Sequence, residues 1–452
     1  MKPITHALAA VFLLVQIPLL LALGGIHPIL SPAPQRTPAR ARPEPTGWFA
    51  GDAHVHRGML CARDDAKTML SPAELLSMME PNDLDVISVL GDIGNGEIRN
   101  AADDLELITG KDHEKSTPGR LMHWDAEWHF DPKGVTYEQK ALGGHLIALG
   151  LQSGHQIYNE TTHPIIDWVH AQGGVVGFAH MQYLKGGIPA DLDCCLPLEY
   201  PVEVALTPRV FLMEDVRGSD TAVAAYYRLL NSGFRPGLAA GTDYPCNEKE
   251  PVALGDLLTM VHIPDGQLTY RKWIDGIAAG RTVVSRNGHN EFIDLKVNRE
   301  AGPGDEIRLT TAGNVEVEVT WTSRNLAEGS IEVVQDGTVV AVQRAKVSPG
   351  SPGRLTTSLR VTRSGWVCAR RMGEGGHQSH TAAVFVTVGG RPVRASAADA
   401  EYFVRYIDNL LEKTAADGAW GMYLPTQREA AHARYREARA VYERIASEAR
   451  AL

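Results

Sequence analysis

From Trp48 to about Ser285, short apolar runs alternate with amphipathic segments, and Gly, Pro or capping residues mark the changeovers. Phe49 to His56 reads as a first strand and Val86 to Leu90 as a buried second one. Leu121 to Trp128, His145 to Leu151, Val175 to Ala179 and Leu238 to Gly241 continue the series. Between the first two strands, Ser71-Pro72-Ala73-Glu74 predicts a helix start, with Ser as N-cap, Pro at the first position and Glu reaching back as a capping box. Thr162 to Gln172, Asp220 to Asn231 and Leu268 to Ala279 are predicted helices that end at Gly173-Gly174, Gly233 and Gly280. This alternation predicts an α/β fold with a parallel sheet, open or closed.

The pattern changes after Asn290. Ile293 to Val297, Val315 to Trp321, Ile331 to Val334, Val339 to Gln343, Leu355 to Val361, Trp366 to Arg370 and Ala382 to Val388 read as short strands, several with period-two alternation. They predict a small antiparallel β-sandwich over residues 290–395. Residues 396–452 are expected to be a helical segment whose stripe Tyr435, Ala438, Val441, Tyr442 and Ile445 packs on the preceding domains, with a cofactor or partner surface as the other reading.

Upstream, Lys2 precedes a nearly uninterrupted apolar run, Ala7 to Leu23, with the small residues Ala22, Gly24 and Gly25 after it. Residues 1–25 are therefore expected to be a signal peptide, with an uncleaved membrane anchor as the other reading. Export places the protein in the periplasm or outside the cell. Residues 26–47 are Pro/Ala-rich and are expected to be a disordered linker, with folded structure starting near Trp48. The barrel-sized α/β domain then spans 48–289. The formal net charge of −10, without a basic run, excludes a nucleic-acid surface and leaves membrane contact only to the N-terminal segment.

The ends of the predicted strands carry the chemistry. Gly51-Asp52-Ala53-His54-Val55-His56 places two imidazoles at i, i+2, on one face of a strand, where both can reach one cation. An HxH pair means little by itself, but ligand types recur at other strand ends: Glu127 in Trp124-Asp125-Ala126-Glu127, His145 after Gly143-Gly144, His180 after Gly177-Phe178-Ala179, and Asp243 after Gly241-Thr242. Barrel active sites draw their residues from several strand ends in this way. Asp125 and His129 flank Glu127 and compete with it for the role.

The succession GDAHVH, GGHLIALG, GFAH, AGTD and AAGRTVVSRNG resembles the polymerase-and-histidinol-phosphatase (PHP) superfamily, and within it the CehA/McbA metallohydrolases, over roughly residues 48–300. The resemblance implies a distorted, seven-stranded βα barrel with metals at its mouth. It implies that His54, His56 and Asp243 hold one cation, that Glu127 bridges, and that His145 and His180 hold a second cation with Glu127. Members with a third cation use three further histidines, at positions taken here by Ala62, Ile93 and Pro245, although Asp92 is retained. A two-metal site is the expectation, with Asp64 or Cys61 as conceivable substitutes. The cations are expected to be zinc, manganese or iron. Two cations sharing a carboxylate activate a water, and Asp243 is placed to take its proton as ligand or base.

The expected reaction is hydrolysis of a small ester, carbamate or amide, with phosphoester hydrolysis as the alternative. Arg57, next to the HxH, is expected at the site rim as a catalytic or substrate-binding cation, with Tyr244 and Asp92 as further substrate contacts. Arg63, Lys67, Arg99, Lys185 and Arg217 are weaker candidates. Of the five cysteines, Cys61 and Cys246 lie beside two of the vacated third-site positions and are expected to form a disulfide; Cys194-Cys195 reads as a buried turn. A reading of another class is an exported binding or sensory module with a structural metal site.

Overall fold

The structure, a computed structural model, describes residues 41–58, 69–94, 104–129, 144–192, 195–246 and 252–452. The signal-peptide reading and the first part of the linker lie outside these residues. Fixed structure extends upstream of Trp48: Arg42 forks onto both oxygens of Asp85 at 2.7 Å each, and Glu44 is buried 2.7 Å from Nε2 of His289. A planar guanidinium matched bidentately to a carboxylate explains why this stretch is fixed despite its linker-like composition.

The fold is mixed α/β. The strands are β1 (Trp48–Val55), β2 (Val86–Gly94), β3 (Leu121–His129), β4 (His145–Leu149), β5 (Val175–Phe178), β6 (Val210–Glu214), β7 (Gly237–Ala240), β8 (Leu258–His262) and β9 (Thr282–Ser285). Interleaved are α1 (Pro72–Met79), α2 (His163–Ala171), α3 (Tyr200–Leu206), α4 (Thr221–Asn231) and α5 (Tyr270–Ala278). Helix α1 starts with the capping box read from the sequence: Ser71 accepts from the Glu74 amide and Glu74 from the Ser71 amide.

These strands lie in the order β9-β8-β1-β2-β3-β4-β5-β6-β7. The sheet is not uniformly parallel, as the βα alternation suggested. β1–β2, β2–β3, β5–β6 and β6–β7 run parallel, whereas β3–β4, β4–β5, β1–β8 and β8–β9 are antiparallel. After β7 the chain returns to β1: Val55 and Tyr244 form a parallel bridge, and the His56 amide donates to the Tyr244 carbonyl at 2.6 Å. The first and last strands of the run β1 to β7 therefore meet.

Downstream come β10 (Glu291–Val297), β11 (Glu306–Leu309), β12 (Gly313–Ser323), β13 (Ala327–Gln335), β14 (Thr338–Val347), β15 (Gly353–Val361), β16 (Gly365–Gly373), β17 (Gly376–Thr381) and β18 (Val384–Val388), then α6 (Ala397–Lys413) and α7 (Arg428–Arg450). β10, β12 and β15 form a three-stranded sheet, and every second residue of β12, from Val315 to Trp321, is buried. The remaining strands do not stand apart as their own sheet. β17 pairs antiparallel with β9, so they join the upstream strands in one 15-stranded sheet. The stripe of α7 is a packing face, with Tyr435, Ala438, Tyr442 and Ile445 buried.

Candidate metal centre

Strand register brings the ligand-type residues to one end of the sheet. On parallel β2 and β3, Asp92 stands opposite Glu127. On antiparallel β3 and β4, His129 stands opposite His145, so the start of β4 lies beside the end of β3. His180 follows β5, which is antiparallel to β4, and Asp243 follows β7. Both His180 and Asp243 have left-handed backbone, with φ of 56° and 52°. That region is sparsely used by non-glycine residues and turns each side chain back over the strand end.

The structure gathers all six residues expected from the sequence. His54, His56, Glu127 and Asp243 form one group, and Glu127, His145 and His180 a second, able to hold metal ions. In the first group, His54 Nε2 lies 3.4 Å from Glu127 Oε1 and 3.3 Å from Asp243 Oδ1. His56 Nε2 lies 3.1 Å from Glu127 Oε2 and 3.4 Å from the same Asp243 oxygen. Ligand atoms at roughly 2.1 Å from a tetrahedral ion are about 3.4 Å apart, so the spacing fits one cation. Both Nε2 atoms are buried and align with no hydrogen-bond partner. Burying ring nitrogens without partners is costly, and a cation at their common focus relieves that cost. The donor set therefore fits a divalent metal ion.

In the second group, His145 Nδ1 sits 2.9 Å from Glu127 Oε1 and 3.0 Å from His180 Nε2. Glu127 Oε1 is thus shared by His54 of the first group and by the second group, while Oε2 faces His56. Burial would raise its pKa, but His54, His129 and His145 hold it well below the usual carboxylate range. Burial, aided by His129, pushes His145 down to about 3, which keeps that imidazole neutral with a lone pair to offer. Burial disfavours the charged form of His56, yet Asp243 and Glu127 raise its pKa well above the ordinary value. Asp125, the rival to Glu127, is occupied elsewhere: it accepts from the Gly150 and Leu151 amides at 2.8 and 2.9 Å and from the Tyr270 hydroxyl.

Two carboxylates that sequence reasoning passed over hold the ligands in place. Asp215 lies 2.7 Å from His180 Nδ1 and accepts the His180 amide at 2.6 Å. It follows β6, whose apolar run Val210–Met213 ending in two acids was the available signal. Asp52, inside the GDAHVH motif, is fully buried. It accepts from the Thr242 hydroxyl at 2.6 Å and from the amides of Thr242, His54 and Gly255. It thereby ties the HxH strand to the turn that carries Asp243. Burial raises its pKa to about 6, against the pull of these donors. Gly241 lets the two segments touch: a Cβ there would lie 2.6 Å from His54 Cβ and 2.8 Å from the His54 amide nitrogen.

The expected substrate contacts fare differently. Arg57 is no free rim cation, because its Nε lies 2.6 Å from Asp104 and its side chain is only 14% exposed. Tyr244 contributes its carbonyl to His56, and its ring packs against the hydrophobic core. Asp92 sits among the histidines, 3.1 Å from His129 Nε2 and 3.6 Å from His56 Nδ1. Arg217 pairs with Asp256 at 2.9 Å. Arg63, Lys67, Arg99, Asp64, Cys61 and Cys194 lie outside the described residues. Cys195 and Cys246 are both disulfide-bonded, so Cys195 is more than part of a buried turn; Cys246 Sγ is 3.8 Å from the Gly58 carbonyl. Cys368 is a buried free thiol. No helix among the described residues is long and apolar enough to cross a membrane.

No family model matches the chain, and the search of curated proteins found no match. Among solved structures, it is similar over a short stretch to the sulfur carrier protein SoxY from Chlorobium limicola f thiosulfatophilum, at 17% identity over 21% of this chain and 78% of that one, with a TM-score of 0.16. A CARDB domain from Pyrococcus furiosus gives 15% identity over 22% and 87% of the two chains, with a TM-score of 0.17. A beta-glucosidase from Listeria innocua gives 18% identity over 22% and 16%, with a TM-score of 0.15. Scores this low establish no common fold.

Proposed function

We propose that this chain is a metal-dependent hydrolase of the PHP type, akin to the CehA/McbA branch, with β1 to β7 as its distorted barrel and a pair of divalent cations at the strand ends. The observation that carries the reading is the convergence of His54 and His56, with unpartnered ring nitrogens, on the oxygens of Glu127 and Asp243. Zinc, manganese or iron bound there supplies Lewis acidity and a water acidified towards neutral pH.

The chain's own residues do the rest. Glu127, held ionised, presents an oxygen to each ligand group. Asp215 takes the Nδ1 side of His180, so the Nε2 lone pair faces inward. Asp243 is the more exposed carboxylate of the set, at 13% against 2% for Glu127, and it receives the proton that the attacking water gives up. An ester, carbamate or amide is the preferred substrate class. Phosphoester hydrolysis is the second reading, weakened because Asp104 already neutralises Arg57.

Purified full-length protein, loaded with each metal in turn, is assayed on nitrophenyl acetate, a nitrophenyl carbamate and nitrophenyl phosphate. Expected are about two or more bound equivalents and turnover of the first two compounds that His54→Ala abolishes. A single tightly held metal with no turnover on any compound supports the binding-module alternative instead.

A further inference from the structure

His129 was not among the six expected ligands, yet it sits in the same buried cluster. Its Nε2 lies 3.1 Å from Asp92 Oδ1 and 3.1 Å from Glu127 Oε2. The side chains of His129, Glu127 and Asp92 are 4%, 2% and 11% exposed. One imidazole nitrogen carries either one proton or one lone pair, so it cannot make a full hydrogen bond to both oxygens. A cation between the three atoms serves all of them at once. Asp92, Glu127 and His129 indeed form a group with ligand atoms mutually within 4.8 Å.

We propose that Asp92, Glu127 and His129 form a third divalent-cation site built on Glu127 Oε2, whereas His145 and His180 face Oε1. This rests on the reading of the first two groups as metal sites. Two carboxylates and one imidazole make a harder donor set than the histidine-rich groups beside it, which favours manganese over softer ions. The spacing agrees: cis ligands of an octahedral ion with bonds of about 2.1 Å are about 3.0 Å apart, close to both 3.1 Å separations. The strands supply the framework, since Asp92 and Glu127 are register partners across β2 and β3.

The test counts manganese. Metal-depleted full-length protein is dialysed against Mn²⁺ and analysed by mass spectrometry of the metal, for the wild type, His129→Gln, Asp92→Asn and the double variant. Thermal melts followed by circular dichroism confirm that each is folded. The expected wild-type content is about three equivalents, falling by one third in either single variant and no further in the double. A wild type that holds two, or three that persist in His129→Gln, overturns the third site and leaves the hydrolase reading standing. A wild type that binds no manganese, zinc or iron overturns both.

Discussion

Asp215 engages His180 twice, accepting its backbone amide at 2.6 Å while lying 2.7 Å from its Nδ1. This double grip fixes both the left-handed turn at His180 and the direction of the ring. Carboxylates that orient a ligating histidine typically contribute 10- to 100-fold to metal affinity. Asp215→Asn is therefore expected to release the second cation about 10- to 100-fold more readily, as read by competition with a chromogenic chelator. Unchanged affinity would mean that the contact only packs the turn.

Thr242 joins the two ligand-bearing segments through Asp52. Its hydroxyl donates to a fully buried carboxylate at 2.6 Å, and hydrogen bonds to charged groups are worth about 1.5–3 kcal/mol. Thr242→Val should cost about that much in urea unfolding. It should also lower the occupancy of the His54–His56–Asp243 group more than that of the His145–His180 group. Equal losses at both would show that Asp52 acts on the whole fold and not on the Asp243 turn.

Gly241→Ala places a methyl 2.6 Å from His54 Cβ and 2.8 Å from the His54 amide nitrogen. Overpacking of this kind costs about 1–3 kcal/mol. The strand end must move, so bound metal should fall together with the melting temperature. A variant that melts like the wild type and keeps its metal would contradict the close approach.

A pH effect is expected away from the metal groups. His380 is buried, with Nε2 2.6 Å from the Tyr227 hydroxyl and Nδ1 2.7 Å from the Thr381 carbonyl. Burial, with the neighbouring His377, lowers its pKa from 6.5 to about 3. Between those values the unfolded chain holds a proton there that the folded chain does not. Stability should therefore rise with pH across that window, by up to about 1.4 kcal/mol per unit from this group, and the contribution is flat above it. His380→Gln should shallow the slope in urea titrations from pH 4 to 7. A parallel slope would assign the acid sensitivity to other groups.

The legible part of the site was that set by strand ends. His54, Glu127, His145, His180 and Asp243 each stand out as a polar side chain closing or opening an apolar run, and the structure gathers them. Asp52 was not legible, because a carboxylate that accepts backbone amides looks like any solvated acid in sequence, and Asp215 was missed with the strand before it. Strand direction was also hidden: the antiparallel β4 is short and apolar like its parallel neighbours, and only pairing reveals its sense. β6 went unread although Val210–Met213 is wholly apolar. The ordering of Arg42 escaped for a different reason. Its partner Asp85 is 43 positions away, and local composition carries no trace of it.

The pairing of Ser379 with Ser285 and of Thr381 with Val283 stitches the second half of the chain onto the edge beside β8. A protein cut at residue 289 would bare that edge, which invites strand-to-strand aggregation. Exchange of the downstream half for a foreign module would have to bring a strand of matching register and direction. Changes in either half are thus constrained by the seam they share.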